Sequence, residues 1–338
     1  MEVKRRTARL LVRKLINGSS EGDEAATDEA IAEIRLLSKH DDEFRPLLVD
    51  AGAVPLLAHH LLLFSGGSGD AAGHRSSSHE DAAAALLNLS ISSREALMAT
   101  PGLLDGLAAA LRSPAAPAAA QHAAATVYSL LSVEAYRPII GGKEEIIAAL
   151  CAMLRPIAPP HPNPTKSLKD ALKALFAVAL CKLNRAVIVR QSAVPALFSL
   201  IVNDGRTGIV EDCTAVVAQV AGCGESLEAF RRVSGVQVLV DLVDAATGTT
   251  ARARENAAAA LLNLAESGGE RAIEDIREVE TAVAAVRELA ESTSSSQRAR
   301  TKAAALLGLL VRRPQQLEEE DWRASERVAG PPAAAAAF

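Results

Sequence analysis

HEDAAAALLNLS, residues 79–90, returns as RARENAAAALLNLA at 252–265. Weaker copies stand between and beside them. They are TDEAIAEIRLLS (27–38), AQHAAATVYSLLS (120–132), LKDALKALFAVAL (168–180), VEDCTAVVAQVA (210–221) and RARTKAAALLGLL (298–310). Aligned on Asn88, the equivalent positions are Leu36, Asn88, Ser129, Ala177, Gln219, Asn263 and Gly308, at spacings of 52, 41, 48, 42, 44 and 45 residues. A repeat of about 40–47 residues, rich in alanine and leucine, is a helical unit stacked on copies of itself. One unit alone leaves an apolar face uncovered, so the stack carries the stability. The two long gaps hold a Gly/Ser-rich insert, Ser65–Ser78, and a Pro-rich stretch, Pro156–Pro164, both expected as loops.

Each unit has further parts. A short polar–apolar stretch such as DDEFRPLLVDAG (41–52) or NRAVIVRQSA (184–193) precedes an apolar one, AVPLLAHHLLLF (53–64) or AVPALFSLIV (193–202). Pro55 and Pro195 fit a helical first turn, where the proline nitrogen forgoes no intrahelical bond. Gly52, Gly102 and Gly235 stand where a reversal calls for positive φ. Three helices per unit follow: short, medium and long. No stretch sustains alternation of period two, so no sheet is expected.

Composition agrees. Of 338 residues, 49% are hydrophobic and only 3% aromatic, and the formal charge is −5. The apolar share is too high for a disordered chain. There is no global basic field to draw nucleic acid and few rings to stack on bases. No apolar run reaches the roughly 18 residues of a membrane span. Arg9, Arg13 and Lys14 interrupt any signal-peptide core near the start. Cys151, Cys181, Cys213 and Cys223 form no CxxC pair and read as reduced, mostly buried thiols, which suggests a cytoplasmic or nuclear setting.

The pattern GAxP…LxxLL followed by AxxALxNLS resembles the armadillo repeat over roughly residues 25–312. Gly52-Ala53-Val54-Pro55, Leu86-Leu87-Asn88-Leu89-Ser90 and Leu261-Leu262-Asn263-Leu264-Ala265 carry it. More narrowly, EAIAEIRLLSKHDDEFRPLLVDAGAVPLL and the closing RARTKAAALLGLLVR resemble the first and last repeats of plant U-box ubiquitin ligases. These 338 residues contain no U-box pattern, so ligase chemistry does not carry over to them. The resemblance implies an all-α, right-handed armadillo superhelix (α-solenoid) of about six to seven units. Residues 1–26 would form an N-terminal capping helix and linker, 27–312 the array, and 313–338 a disordered tail.

The resemblance also implies that the long helix of each unit lines a concave groove, where a ladder asparagine can bond a bound peptide's backbone. Asn88 and Asn263 hold that position, with Ser129 and Gln219 at its equivalents. A carboxamide offers donor and acceptor together. The competing reading is a hydrogen bond within or between repeats. Four residues earlier, where import receptors place tryptophans, stand Ala32, Ala84, Ala125, Lys173, Ala215, Ala259 and Ala304. The only tryptophan, Trp322, lies in the tail, which argues against recognition of import signals.

Lys166, Lys169 and Lys173 follow i, i+3, i+7 spacing and share a helix face, with Ala177 expected to continue it into the groove. A basic mid-groove on an acidic chain suits an acidic or phosphorylated protein segment. A solvated charged face is the plainer alternative. Glu80, Asp81, Glu211 and Asp212 place carboxylates at neighbouring units.

No HExxH, GxSxG or P-loop is present, so no catalysis is expected, nor any cofactor or metal. His59, His60, His74 and His79 read as flexible surface histidines. The expected role is a protein-interaction module or adaptor, acting in substrate recognition for ubiquitin-dependent signalling. The alternatives are a ubiquitin-independent scaffold in signalling or trafficking, or a fragment of a U-box ligase.

Overall fold

The computed structural model describes residues 1–63, 71–113, 116–155 and 164–312, with backbone alone over 71–75. Helix α1 (Glu2–Glu21) leads into α2 (Glu24–His40). Triplets follow: α3 (Phe44–Asp50), α4 (Ala53–Leu63) and α5 (Ala71–Ser90), then α6 (Arg94–Ala99), α7 (Leu103–Leu111) and α8 (Pro117–Leu131). Next come α9 (Arg137–Gly141), α10 (Glu144–Met153) and α11 (Thr165–Ala179), then α12 (Lys182–Arg190), α13 (Ala193–Asn203) and α14 (Thr207–Val220). The last are α15 (Ser226–Arg231), α16 (Gly235–Val243) and α17 (Ala251–Arg277), which kinks at Gly269 (φ 63°) so that its final turns act as the short helix before α18 (Ala282–Glu291) and α19 (Gln297–Val311). Among the described residues there is no strand, and each triplet runs short, medium, long as expected.

The seven long helices, α2, α5, α8, α11, α14, α17 and α19, pack side by side in chain order. Alanine makes this close approach possible: Ala82, Ala83 and Ala85 on α5 and Ala257, Ala258 and Ala260 on α17 are fully buried. Leu86, Leu89, Leu261 and Leu264 interleave with them, also without exposure, and supply the apolar area. The medium helices close the core from behind through Leu57, Leu107, Leu150, Leu197 and Leu239. Removing any such leucine side chain costs about 2–5 kcal/mol.

Helix α1 covers the first unit. Its buried stripe Ala8, Leu11, Val12 and Leu15 faces inward, and Lys4 bonds Asp41 and Glu43 at 2.6 Å each. Arg5, Arg6, Arg9 and Arg13 point outward. Val3, Leu10 and Ile16 are exposed beside them, so the outer face of α1 is mixed.

Several local expectations need correction. The insert expected as a loop over 65–78 is helical from Ala71 onward, as the first turns of α5; residues 64–70 lie outside the described residues. Of the Pro-rich stretch, residues 156–163 lie outside the described residues, and Pro164 caps α11. The tail, with Trp322, lies outside them too. Gly52 and Gly102 do take positive φ, at 93° and 79°. Gly235 does not. The left-handed residue before α16 is Ser234 at φ 50°, and before α13 it is Ser192 at φ 60°. Gly235 answers a different need: a Cβ there would lie 2.8 Å from Cζ of Phe198. His79, expected on the surface, is fully buried with Nε2 3.4 Å from the Leu61 carbonyl oxygen. Extension of α5 toward its N-terminus is the reason, since it tucks His79 against α4. The Ser78 hydroxyl and His60 Nε2 are 3.0 Å apart on the same contact.

Candidate protein-binding groove

In an armadillo array the layer of long helices lines the concave side. On α8 and α11 the residues that are not fully buried on this side recur every three to four positions and form a stripe along the helix, the geometry of one helix face. On α11 that stripe is Lys166, Lys169, Lys173 and Phe176, with Leu180 just past the helix end. On α8 it is Gln121, Ala125 and Tyr128, and α5 presents Glu80, Leu87 and Asn88.

The lysine expectation fits this geometry. Lys166 and Lys173 are exposed and Lys169 half-buried. None has a carboxylate within ion-pair distance among the described residues. Lys169 leans across to the next helix, its Nζ 2.9 Å from where a Cβ on Gly208 would stand. Several of the carboxylates nearby have partners of their own, whereas Asp212 feels Lys169 and Lys173 through charge alone. Gln121 Nε2 donates to Asp170 at 3.1 Å. Asp81 pairs with Arg35, which also reaches Glu80 at 3.5 Å. Glu211 accepts from Thr250 at 2.9 Å and lies 3.9 Å from Arg252. Burial raises the Asp212 carboxyl above its usual range, and the cations Lys169, Arg252 and Lys173 only partly offset this. Burial lowers the His122 imidazole, and the nearby charges of Lys166 and Arg35 lower it further.

Ala177 does not continue the lysine stripe. It is 5% exposed, because the helix rotation places Phe176 toward the groove instead. A spacing of i+10 from Lys166 points to Phe176 and i+11 to Ala177, and the 3.6-residue turn leaves that choice to the packing on either side.

The ladder residues are placed as follows. Asn88 Nδ2 donates to Ser38 Oγ at 3.1 Å and lies 3.4 Å from the Arg35 carbonyl oxygen. Asn263 Nδ2 donates to the Ala218 carbonyl at 2.7 Å. Both donors thus cross to the preceding long helix, as the inter-repeat reading has it. In both, the carboxamide oxygen accepts no hydrogen bond among the described residues and remains an acceptor at the groove floor. Ser129 Oγ donates to the Ser90 carbonyl at 3.3 Å, and Gln219 Oε1 accepts from Arg185 at 3.1 Å. These positions therefore form two pairs on neighbouring helices, Asn88 with Ser129 and Gln219 with Asn263, separated by the buried Ala177 of α11. The lysines form a separate row, one to three turns toward the N-terminus of α11.

The sequence reading missed one internal tie. Asn184, on α12, is 4% exposed and donates to the Arg137 carbonyl at 2.9 Å and the Val178 carbonyl at 3.1 Å. Its signal was a lone carboxamide at the third position of the short helix KLNRAVIVR.

The plant U-box protein ARM repeat region matches residues 11–317 as a family model. The chain is 28% identical over 254 residues to U-box domain-containing protein 16 of Arabidopsis thaliana, covering 75% of this chain and 34% of that protein. It is 25% identical over 273 residues to U-box domain-containing protein 19 of the same plant, covering 78% of this chain and 36% of that one. The chain thus spans about a third of the length of these relatives. Among solved structures, an engineered protein superposes with a TM-score of 0.71 at 24% identity, over 90% of this chain and 68% of that one. An armadillo array is a binding scaffold and not a catalytic one. On the match over residues 11–317, this chain belongs to the family of plant U-box protein ARM repeat regions.

Proposed function

We propose that this chain recognises a partner polypeptide in its concave groove and serves substrate recognition in ubiquitin-dependent signalling, in the cytoplasm or nucleus. The observation that carries the reading is the set of three lysines on one face of α11, with no carboxylate within ion-pair distance among the described residues. Several other cations of the array are tied down: Arg35, Lys143, Arg206, Arg231 and Arg277 each have an ion-pair partner. Three like charges on adjacent turns repel one another in the free protein. An acidic or phosphorylated segment relieves that repulsion and gains charge-assisted bonds. The carboxamide oxygens of Asn88 and Asn263, which accept no hydrogen bond among the described residues, suit backbone N–H groups of the same segment. The ubiquitin connection rests on the family alone.

The test is affinity capture from native plant extract with quantitative mass spectrometry. Wild type is compared with a Lys166→Glu/Lys169→Glu/Lys173→Glu variant whose thermal unfolding is unchanged. Partners lost only from the folded variant, and stabilised in cells when this chain is removed, support the reading. A partner list indifferent to the charge reversal overturns the groove assignment. Partners whose turnover does not respond to the chain make it a ubiquitin-independent scaffold.

A further inference from the structure

We propose that the groove carries a second, apolar recognition row on its first four long helices, so that the bound segment is acidic and also bears large aliphatic or aromatic side chains. The row consists of Leu36, Leu87, Ile91, Tyr128, Phe176 and Leu180. This rests on the groove reading above and specifies the chemistry of its occupant.

Three of the positions are equivalent, and the other three lie within a turn of them. Leu36 stands at the ladder position of α2. Leu87, Tyr128 and Phe176 each stand one residue before that position on α5, α8 and α11. Ile91 and Leu180 follow on the same stripe, three residues past the ladder position, just beyond the ends of α5 and α11. The inter-helix bonds fix the register: Asn88 reaches Ser38, Ser129 reaches Ser90, and Gln121 reaches Asp170. Equivalent residues therefore lie side by side: Leu87, Tyr128 and Phe176 stand in a row on three successive helices, and Leu36, Ile91 and Leu180 flank it.

Exposure is what makes the row notable. Leu36 is 57% exposed, Ile91 49%, Tyr128 44% and Leu180 38%. Isolated exposed leucines are ordinary, but an aligned group of large apolar residues on one face marks a contact surface. The row stops abruptly. The equivalents on α14 are Ala218, Gln219 and Gly222, and on α17 Leu262, buried at 4%, then Asn263 and Glu266. The apolar character belongs to the half of the groove that ends at α11, the helix with the lysines.

On α11 the two features share one stripe. The lysines occupy its N-terminal half and Phe176 and Leu180 its C-terminal end. Lys173 and Leu180 are seven residues apart, about 10 Å along a helix. A segment lying across the long helices thus meets apolar surface on one edge and ammonium groups on the other. The two rows do different work. Exposed ion pairs contribute little net affinity but speed and orient the encounter, and salt screens them. Desolvated aromatic and aliphatic contacts govern dissociation.

The test begins with selection from a random-sequence peptide library displayed on mRNA, using the whole chain as bait. The dominant peptide is then measured by stopped-flow fluorescence against wild type, Leu36→Ser/Ile91→Ser/Tyr128→Ser and the triple lysine-to-glutamate variant. These apolar positions are surface ones, so the serine variant should melt as wild type does, and this is checked first. The proposal expects peptides rich in Glu or Asp together with Leu, Phe or Tyr. It expects the serine variant to dissociate roughly tenfold faster or more. It expects the lysine variant to associate more slowly with a flattened salt dependence. Peptides that are acidic but lack apolar residues, or that leave the serine variant at wild-type rate, overturn the apolar row and leave the groove reading standing. Peptides indifferent to both variants, or no enrichment at all, overturn both.

Discussion

Asn184 fills the space that a side chain on Gly141 would take: a Cβ on Gly141 would lie 2.2 Å from the Asn184 carboxamide. Through that carboxamide, α12 is bonded to the Arg137 carbonyl of α9 and the Val178 carbonyl of α11. Three helices from two units meet at one buried amide. Gly141→Ala therefore displaces Asn184 and breaks both bonds. Asn184→Ala leaves the two carbonyls without that donor, at about 1–3 kcal/mol. Because the alanine at 184 removes the clash, the double variant should lose clearly less than the sum of the singles. A double-mutant cycle from denaturant unfolding checks this; strict additivity refutes the coupling.

The Asn263–Ala218 bond predicts an order of variants. Asn263→Ala removes one hydrogen bond and costs about 1 kcal/mol. Asn263→Asp sets a carboxylate oxygen against the Ala218 carbonyl oxygen in place of a donor, and should cost more at neutral pH. Thermal unfolding of the two variants decides; a loss in Asn263→Asp no larger than in Asn263→Ala would count against the bond.

Acid sensitivity should centre on α4 and α5. Burial pushes the His79 imidazole down to about 4, and burial also lowers His60. The folded value lies below the unfolded one, so the unfolded chain takes up protons first as pH falls. The stability associated with neutral His79 is whole above about pH 6.5 and is lost as pH drops toward 4. Melting temperature should decline across that window, and His79→Leu should flatten the decline. A slope unchanged by that substitution would place the sensitivity elsewhere.

Thiol reactivity should separate the cysteines into two pairs. Burial pushes the Cys151 thiol up to about 12 and raises Cys213 as well, and both side chains are fully buried. Cys181 and Cys223 are half-exposed. Iodoacetamide at pH 8 should label Cys181 and Cys223 in the native protein, with Cys151 and Cys213 following only on unfolding. Cys223 should react the more slowly for its size of exposure, because burial raises its thiol too. Peptide mapping after timed quenching reads this directly, and early labelling of Cys213 would contradict the packing of α14.

Much of the architecture was legible in the sequence because it is encoded locally. Alanine and leucine at three- and four-residue spacing mark a buried helix face wherever they occur. The return of HEDAAAALLNLS as RENAAAALLNLA therefore set the period, and prolines at 55 and 195 marked the helix starts. The α11 lysines were legible for the same reason, since i, i+3, i+7 defines a face without knowledge of the fold. The apolar row was not: leucines at 36 and 87 look like core until the packing on both sides is known.

The sequence by itself determined the repeat, the helical triplets, the family and the shared face of Lys166, Lys169 and Lys173, all properties of short windows of chain. Only the tertiary structure decided that Phe176 and not Ala177 faces the groove, that His79 is buried, and that Ser192 and Ser234 carry the left-handed turns. It alone gave Asn88, Asn184 and Asn263 their partners. Those partners on neighbouring units stand 45 to 53 positions away in the chain. Distances of that kind are set by the register in which one unit stacks on the next, and stacking register is a balance of side-chain volumes summed over whole faces, which no single window of sequence contains.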